Sequence, residues 1–308
     1  MNIVPTSFFS ELRNQSIFSL IAPILLFIHA ILVDSTFLSA CYAVLLIVVL
    51  AYRQSAFSWS LWLAALGCMA YAFLYLDPLP NSHMALLSAY GFIMLFIGST
   101  ANKDEQRDAV IHWSSLLLLL SIFAASFVWY LSNETIRSGD AMTFMIVTGK
   151  TLTTFSPFIS TLSFNTADWQ EVTSIFGGNN MAIFMFENAI EMLNAELDTN
   201  ENLHGFAIGF TWLLITLQGV IALSLCLWAL TAKPRYGSFA HLGLIFYIIL
   251  SYGDATLALT ATVLCLFGIG LTQHDSLSKY RWVYLLMIAG FLLLGITSQE
   301  PAEVASIL

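Results

Sequence analysis

Apolar runs of about twenty residues, separated by short polar breaks, recur along almost the whole chain. Each is long enough to cross a hydrocarbon core of roughly 30 Å as a helix. The pattern predicts nine such segments: Ile17–Val33, Phe37–Tyr52, Ala56–Leu76, Met84–Ser99, Val110–Leu131, Phe206–Leu230, Tyr236–Tyr252, Ala255–Leu271 and Tyr280–Ile296. The joint within 236–271 is short. The stretch is 36 residues long in all, interrupted only by Ser251–Ala255, whereas two full spans need about 40. Two short or tilted helices are expected there, with Gly253 taking the turn and Asp254 capping the second helix through its carboxylate.

Composition agrees with this pattern. Of 308 residues 58% are apolar and 9% charged, against roughly a quarter charged in a soluble domain. The expected fold is therefore an all-α integral membrane protein, a polytopic bundle of about nine spans. The net charge of −9 comes without a basic patch, which argues against a nucleic-acid partner. The segment before the first apolar run is followed by no small-x-small cleavage site, so that run is expected to be an uncleaved first span.

The positions of the charges predict an orientation. With the N-terminus cytoplasmic and the spans alternating, Arg13, Arg53, Lys103, Arg107, Lys233, Arg235, Lys279 and Arg281 fall inside, and only Arg137 and Lys150 outside. Eight of the ten basic residues thus lie on one side, the bias expected of short cytoplasmic loops. Nine of the nineteen acidic residues lie between Asn133 and Glu201 on the outer side. The C-terminus is expected on the outer face.

The chain divides by this reading into spans 1–5 (1–131), an outer region (132–205) and spans 6–9 (206–308). The outer region is too long and too apolar for an ordinary solvated loop. Within Phe176–Leu197, Glu187, Glu191 and Asn194 share one side of a helix, and Ile183, Phe186, Ile190 and Leu193 another. An amphipathic helix capping the bundle or lying on the membrane is expected.

Thr148-Gly149-Lys150-Thr151 looks like the end of a phosphate-binding loop. That motif needs a glycine five residues before the Gly-Lys pair, and Phe144 stands there, so a nucleotide is excluded as partner. Lys150 then has two readings. Its ammonium snorkels to headgroups at a half-buried helix end, or it is buried in the outer half of the bundle as a base or anion-binding group. Asp254 is either a helix cap or the partner of that lysine.

His241 is either a hydrogen-bonded packing residue or a functional group, and Gln218 is a polar mid-span residue suited to an interhelical hydrogen bond. No histidine pair has the spacing of a helical metal site; two histidines on different helices could still converge. The four cysteines, Cys41, Cys68, Cys226 and Cys265, lie inside apolar runs with no C-x-x-C pair. They are expected to be small apolar packing residues. No residue pattern identifies a cofactor.

From Lys150 onward, the order of features resembles the vitamin K-dependent carboxylase-like family (horizontally transferred transmembrane domain proteins) and the shorter DoxX-type proteins. The residues concerned are Gly149-Lys150, Trp169 in "TADWQEV", Gln218, and "HLGLIFYII" beginning at His241, all within 143–272. Gln218 stands where those families usually have Glu. The resemblance implies a lysine base or a quinone-like, membrane-borne partner, with Gln218 and Trp169 on the ligand side.

Two functions follow as expectations. One is a non-catalytic subunit or docking component of a membrane complex, held to a protein partner through the 132–205 cap. Its support is the scarcity of ionisable groups within the spans. The other is a membrane-embedded enzyme or redox-linked protein with a quinone- or lipid-like site near Lys150 and Asp254. A bacterial inner membrane fits the charge pattern. A eukaryotic endomembrane fits it too, and would place the glycosylation acceptor Asn133-Glu134-Thr135 on the correct side.

Overall fold

The computed structural model describes residues 14–32, 36–75, 82–100, 103–140, 142–143, 201–251, 258–272 and 277–297. Every regular element among them is helical. The helices are α1 (Asn14–Leu32), α2 (Thr36–Ala51), a 3-10 turn (Arg53–Phe57), α3 (Trp59–Tyr75), α4 (Ser82–Thr100), α5 (Asp104–Ser132), α6 (Glu134–Arg137), α7 (Glu201–Thr231), α8 (Pro234–Ser251), α9 (Ala258–Gly270) and α10 (Ser278–Thr297). Each of the nine apolar runs coincides with one of them. Two, Asp104–Ser132 and His204–Thr231, are long and apolar enough to cross a membrane by length and composition.

The boundaries that moved did so for local reasons. α5 begins well before Val110, because Asp104 and Glu105 occupy its first turn, where carboxylates favour the positive end of the helix dipole. The stretch expected to open α3 at Ala56 is instead the 3-10 turn. The Ser55 hydroxyl lies within reach of the carbonyls of Tyr52 (2.6 Å) and Val48 (3.2 Å), which also accept the backbone N–H groups of Ser55 and Tyr52, both at 2.9 Å, so side chain and backbone together close the turn. The Trp62 indole N–H then donates to the Ala56 carbonyl at 2.6 Å. α7 stops where Ala232 adopts a φ of +53°, and α8 starts on Pro234, whose missing N–H costs nothing in a first turn. The region 236–271 contains two helices, α8 and α9, with 252–257 outside the described residues.

The chain forms two compact units, Met1–Leu119 with Leu259–Leu308, and Leu120–Ala258. In the first, α2 packs along α1 and α4 along α3. α9 is buried all round: every residue from Leu259 to Thr272 is buried, including Thr260, Thr262 and Thr272. Its glycines permit this close fit. A Cβ on Gly268 would collide with the Tyr284 ring, and one on Gly270 with Ser115. Phe18, Tyr90 and Phe267 meet there, with ring centroids 4.6 Å (Phe18–Tyr90) and 6.2 Å (Phe18–Phe267) apart. The Tyr90 hydroxyl donates to the Phe18 carbonyl at 2.6 Å, one turn before Pro23 interrupts the hydrogen-bond ladder of α1.

In the second unit α7 and α8 form a tight antiparallel pair. The buried side of α7 is Ala207, Phe210, Leu214, Gln218, Ile221, Leu225 and Trp228, recurring every three to four residues as one face of a helix. Its opposite side carries Trp212, Leu213, Val220, Leu223 and Leu230, all exposed. Residues after Asn133 fold back on the start of α7. Gly139, at φ +87°, lies so close to Ile208 that a Cβ would sit 2.9 Å from its backbone nitrogen. Of the expected outer region, 144–200, and with it the amphipathic helix at Phe176–Leu197, lies outside the described residues.

Candidate functional site

The second unit buries a polar cluster in an otherwise apolar interior. Small residues bring its three helices close. A Cβ on Gly219 would lie 2.8 Å from the Phe127 ring of α5, and one on Gly243 2.8 Å from Ile221. At this level Gln218 of α7 is fully buried, and its amide N–H donates to the Tyr247 hydroxyl of α8 at 3.0 Å. Tyr130 of α5 completes the group, its hydroxyl interacting with the Gln218 side chain and with Tyr247. Phe123 of α5 packs edge-on against Tyr247, with centroids 5.0 Å apart. The Gln218 carbonyl oxygen is buried and has no hydrogen-bond partner among the described residues. A buried amide oxygen without a donor has a substantial desolvation cost, so this atom is suited to receive a hydroxyl or N–H.

His241 occupies a different level. It is fully buried, with its ring 6.0 Å from that of Trp228. Trp228 lies ten residues beyond Gln218, about 15 Å along the helix, so the structure does not bring His241 and Gln218 together. Lys150, Trp169 and Asp254 lie outside the described residues. Among the described residues no group of three or more His, Cys, Asp or Glu side chains could hold a metal ion. Tyr247, Tyr130 and Phe123 were not singled out by sequence, although a tyrosine inside "LIFYIIL" is a mid-segment polar group of the same kind as Gln218.

Charged side chains gather at helix ends. The Arg107 guanidinium stands 4.4 Å over the Phe57 ring and 3.4 Å from the Asp104 carboxylate. Arg235 lies over Tyr236 at 4.8 Å and Lys279 over Tyr280 at 5.2 Å. His204 Nδ1 is 3.9 Å from Asp140 Oδ1, and the Ser138 hydroxyl donates to the other Asp140 oxygen at 2.5 Å. Among the described residues, no Asp, Glu, Lys or Arg is buried as a whole residue, although Oδ1 of Asp108 and Nε of Arg281 are shielded. The cluster can bind and orient a neutral polar group, and it offers no strong acid or base.

Comparison of the chain with family models, curated proteins and solved structures finds no match.

Proposed function

We propose that the chain is a polytopic integral membrane protein that serves as a non-catalytic subunit or docking component of a membrane complex. The membrane part of the reading rests on the outward faces of the helices. Phe37, Val44, Ile47 and Leu50 on α2, Phe92 and Phe96 on α4, Leu117 and Val128 on α5, Leu223 on α7, Phe246 on α8 and Leu286 on α10 are all exposed. A soluble fold has its polar residues on such faces. Here inner and outer faces are equally apolar, as contact with lipid requires.

Exposed tryptophans add support. Trp113 and Trp129 lie 16 residues apart on α5, about 24 Å, close to the separation of two aromatic belts. Arg107 over Phe57 puts the start of α5 beside the α2–α3 turn, in keeping with a shared cytoplasmic side for both. With the N-terminus cytoplasmic, 132–205 faces the outside, and a bacterial inner membrane suits the charge pattern.

The docking role is carried by one observation: among the described residues no Asp, Glu, Lys or Arg is buried as a whole residue, only single atoms of Asp108 and Arg281 being shielded. Proton-coupled or acid–base chemistry within a bilayer ordinarily needs such groups. The partner is a protein held through the acidic outer region.

A second reading is favoured by the Gln218 oxygen. A hydroxyl-bearing, quinone- or lipid-like molecule donating to it would be flanked by Tyr130, Tyr247 and Phe123. It agrees with the resemblance to the carboxylase-like and DoxX-type families, in which Lys150, Trp169 and Asp254 would serve the same ligand. Native mass spectrometry of the protein extracted gently from its own membrane separates the two. The docking role predicts a stable protein complex without an adduct, unchanged by Lys150→Ala or Gln218→Leu. A stoichiometric small-molecule adduct lost on either substitution, with no protein partner, overturns it in favour of the second reading.

A further inference from the structure

We infer that the seam between α7 and α8 binds a short file of water molecules, running from the Gln218 carbonyl oxygen toward the end of the pair where α7 begins. Three side-chain oxygens carry the inference: Oε1 of Gln218, Oγ of Ser251 and Oγ1 of Thr211. Each is a buried atom with no hydrogen-bond partner among the described residues. Gln218 and Thr211 are buried as whole residues as well. A buried oxygen left without a donor is costly, and three in one seam call for a common occupant.

The register of the two helices sets the three in sequence. Two close approaches fix that register. The Gln218 amide donates to the Tyr247 hydroxyl at 3.0 Å, and a Cβ on Gly243 would lie 2.8 Å from the Ile221 side chain. Ser251 follows Tyr247 by one turn of α8, which puts it about 6 Å nearer the start of α7 than Gln218. Thr211 precedes Gln218 by seven residues on the same face of α7, about 10 Å along the axis. The three residues thus occupy successive levels roughly 4–6 Å apart. A water bridging two oxygens spans about 5.5 Å through two ordinary O–H···O bonds. One water fits each step.

The walls select the occupant. No Asp, Glu, Lys or Arg occurs from Asn202 to Thr231 or from Tyr236 to Ser251, so an ion would find no counter-charge on either helix. An amide oxygen takes a donor, and a hydroxyl both gives and takes a hydrogen bond. Water meets all three needs, and buried water is held by polar groups of this kind. Beyond Gln218 the seam turns apolar, with Ile221 against Gly243 and Leu225 and Leu244 buried, so the file ends at the amide. Such a file goes beyond the docking role, and it competes with the hydroxyl-bearing ligand of the second reading for the Gln218 oxygen.

The test is X-ray radiolysis, which makes hydroxyl radicals from bound water in place and oxidises the side chains beside it. Full-length protein in lipid nanodiscs is irradiated briefly and the oxidised residues are located by peptide mass spectrometry. Tyr247, although only 8% exposed, should be oxidised, while the fully buried rings of Phe18 and Phe267 stay protected. Thr211→Val/Ser251→Ala removes two of the three oxygens with little change of shape. Oxidation of Tyr247 should fall in that variant toward the level of Phe267, with Phe18 and Phe267 still protected as the sign of an intact fold. If the double variant loses that protection, the near-isosteric Thr211→Val is read in the same way. Tyr247 as protected as Phe267 in the wild-type protein would overturn the inference. So would oxidation of Tyr247 unchanged by the substitutions. A protected Tyr247 together with a small-molecule adduct in native mass spectra would overturn it too, and would give the seam to the ligand of the second reading.

Discussion

Replacing Tyr247 by Phe removes the hydroxyl that accepts the Gln218 amide proton at 3.0 Å and changes little else in the shape of the core. Hydrogen bonds between helices in a bilayer average about 0.6 kcal/mol and reach about 1.7. Leaving a buried donor without a partner costs roughly 1–3 kcal/mol. The nearby Tyr130 hydroxyl gives the amide a second partner, which pulls the loss toward about 1 kcal/mol. Gln218→Leu instead removes donor and acceptor together, so in the Tyr247→Phe background it should recover part of that loss. The expected coupling in the double-mutant cycle is about 0.5–1 kcal/mol. Reversible unfolding in bicelles, followed by tryptophan fluorescence or steric trapping, reads all four proteins. Strictly additive single and double variants would show that Gln218 and Tyr247 do not interact and would remove the basis of the cluster.

Two further substitutions read other parts of the structure. A Cβ on Gly98 would stand 2.6 Å from the Phe57 carbonyl oxygen and 2.7 Å from the Trp59 nitrogen, backbone atoms that cannot rotate away. Gly98→Ala should therefore lower stability by about 2 kcal/mol or more. Gly67, with nothing within 4 Å of such a Cβ, should tolerate Ala and gain up to about 1 kcal/mol from helix propensity; equal effects in the same unfolding assay would contradict the packing of α4 on the α2–α3 turn. Leu286, 73% exposed, faces lipid in this account. Leu286→Arg should cost about 2.5–3.5 kcal/mol in a membrane-insertion assay, whereas a water-exposed site would register almost none.

The helical character of the fold was legible because runs of twenty apolar residues leave no room for a period-2 strand pattern. Hydropathy could not distinguish a helix facing lipid from one enclosed by protein. α9 read as a short or tilted span, and its 13 residues reach only about 20 Å, yet hydropathy did not show that Leu259–Thr272 is buried on every side. Gln218 stood out as a lone mid-run amide, and its expected role, a hydrogen bond to a neighbouring helix, matches the contact with α8. Its partner was not legible, because Tyr247 is one tyrosine among eleven and only the α7–α8 register selects it. Lys150, Trp169 and Asp254 depend on residues between 144 and 200 or 252 and 257, where the structure describes no geometry.

Spin labels placed singly at Leu117, Leu223, Phe246 and Leu286, in protein reconstituted into liposomes, test the membrane account most directly. All four positions are exposed in the fold and belong to different helices. Their relaxation should be strongly enhanced by oxygen, which partitions into hydrocarbon, and hardly at all by a water-soluble nickel chelate. Relaxation dominated by the nickel chelate at these positions would place the apolar faces in water and contradict a bilayer-embedded bundle.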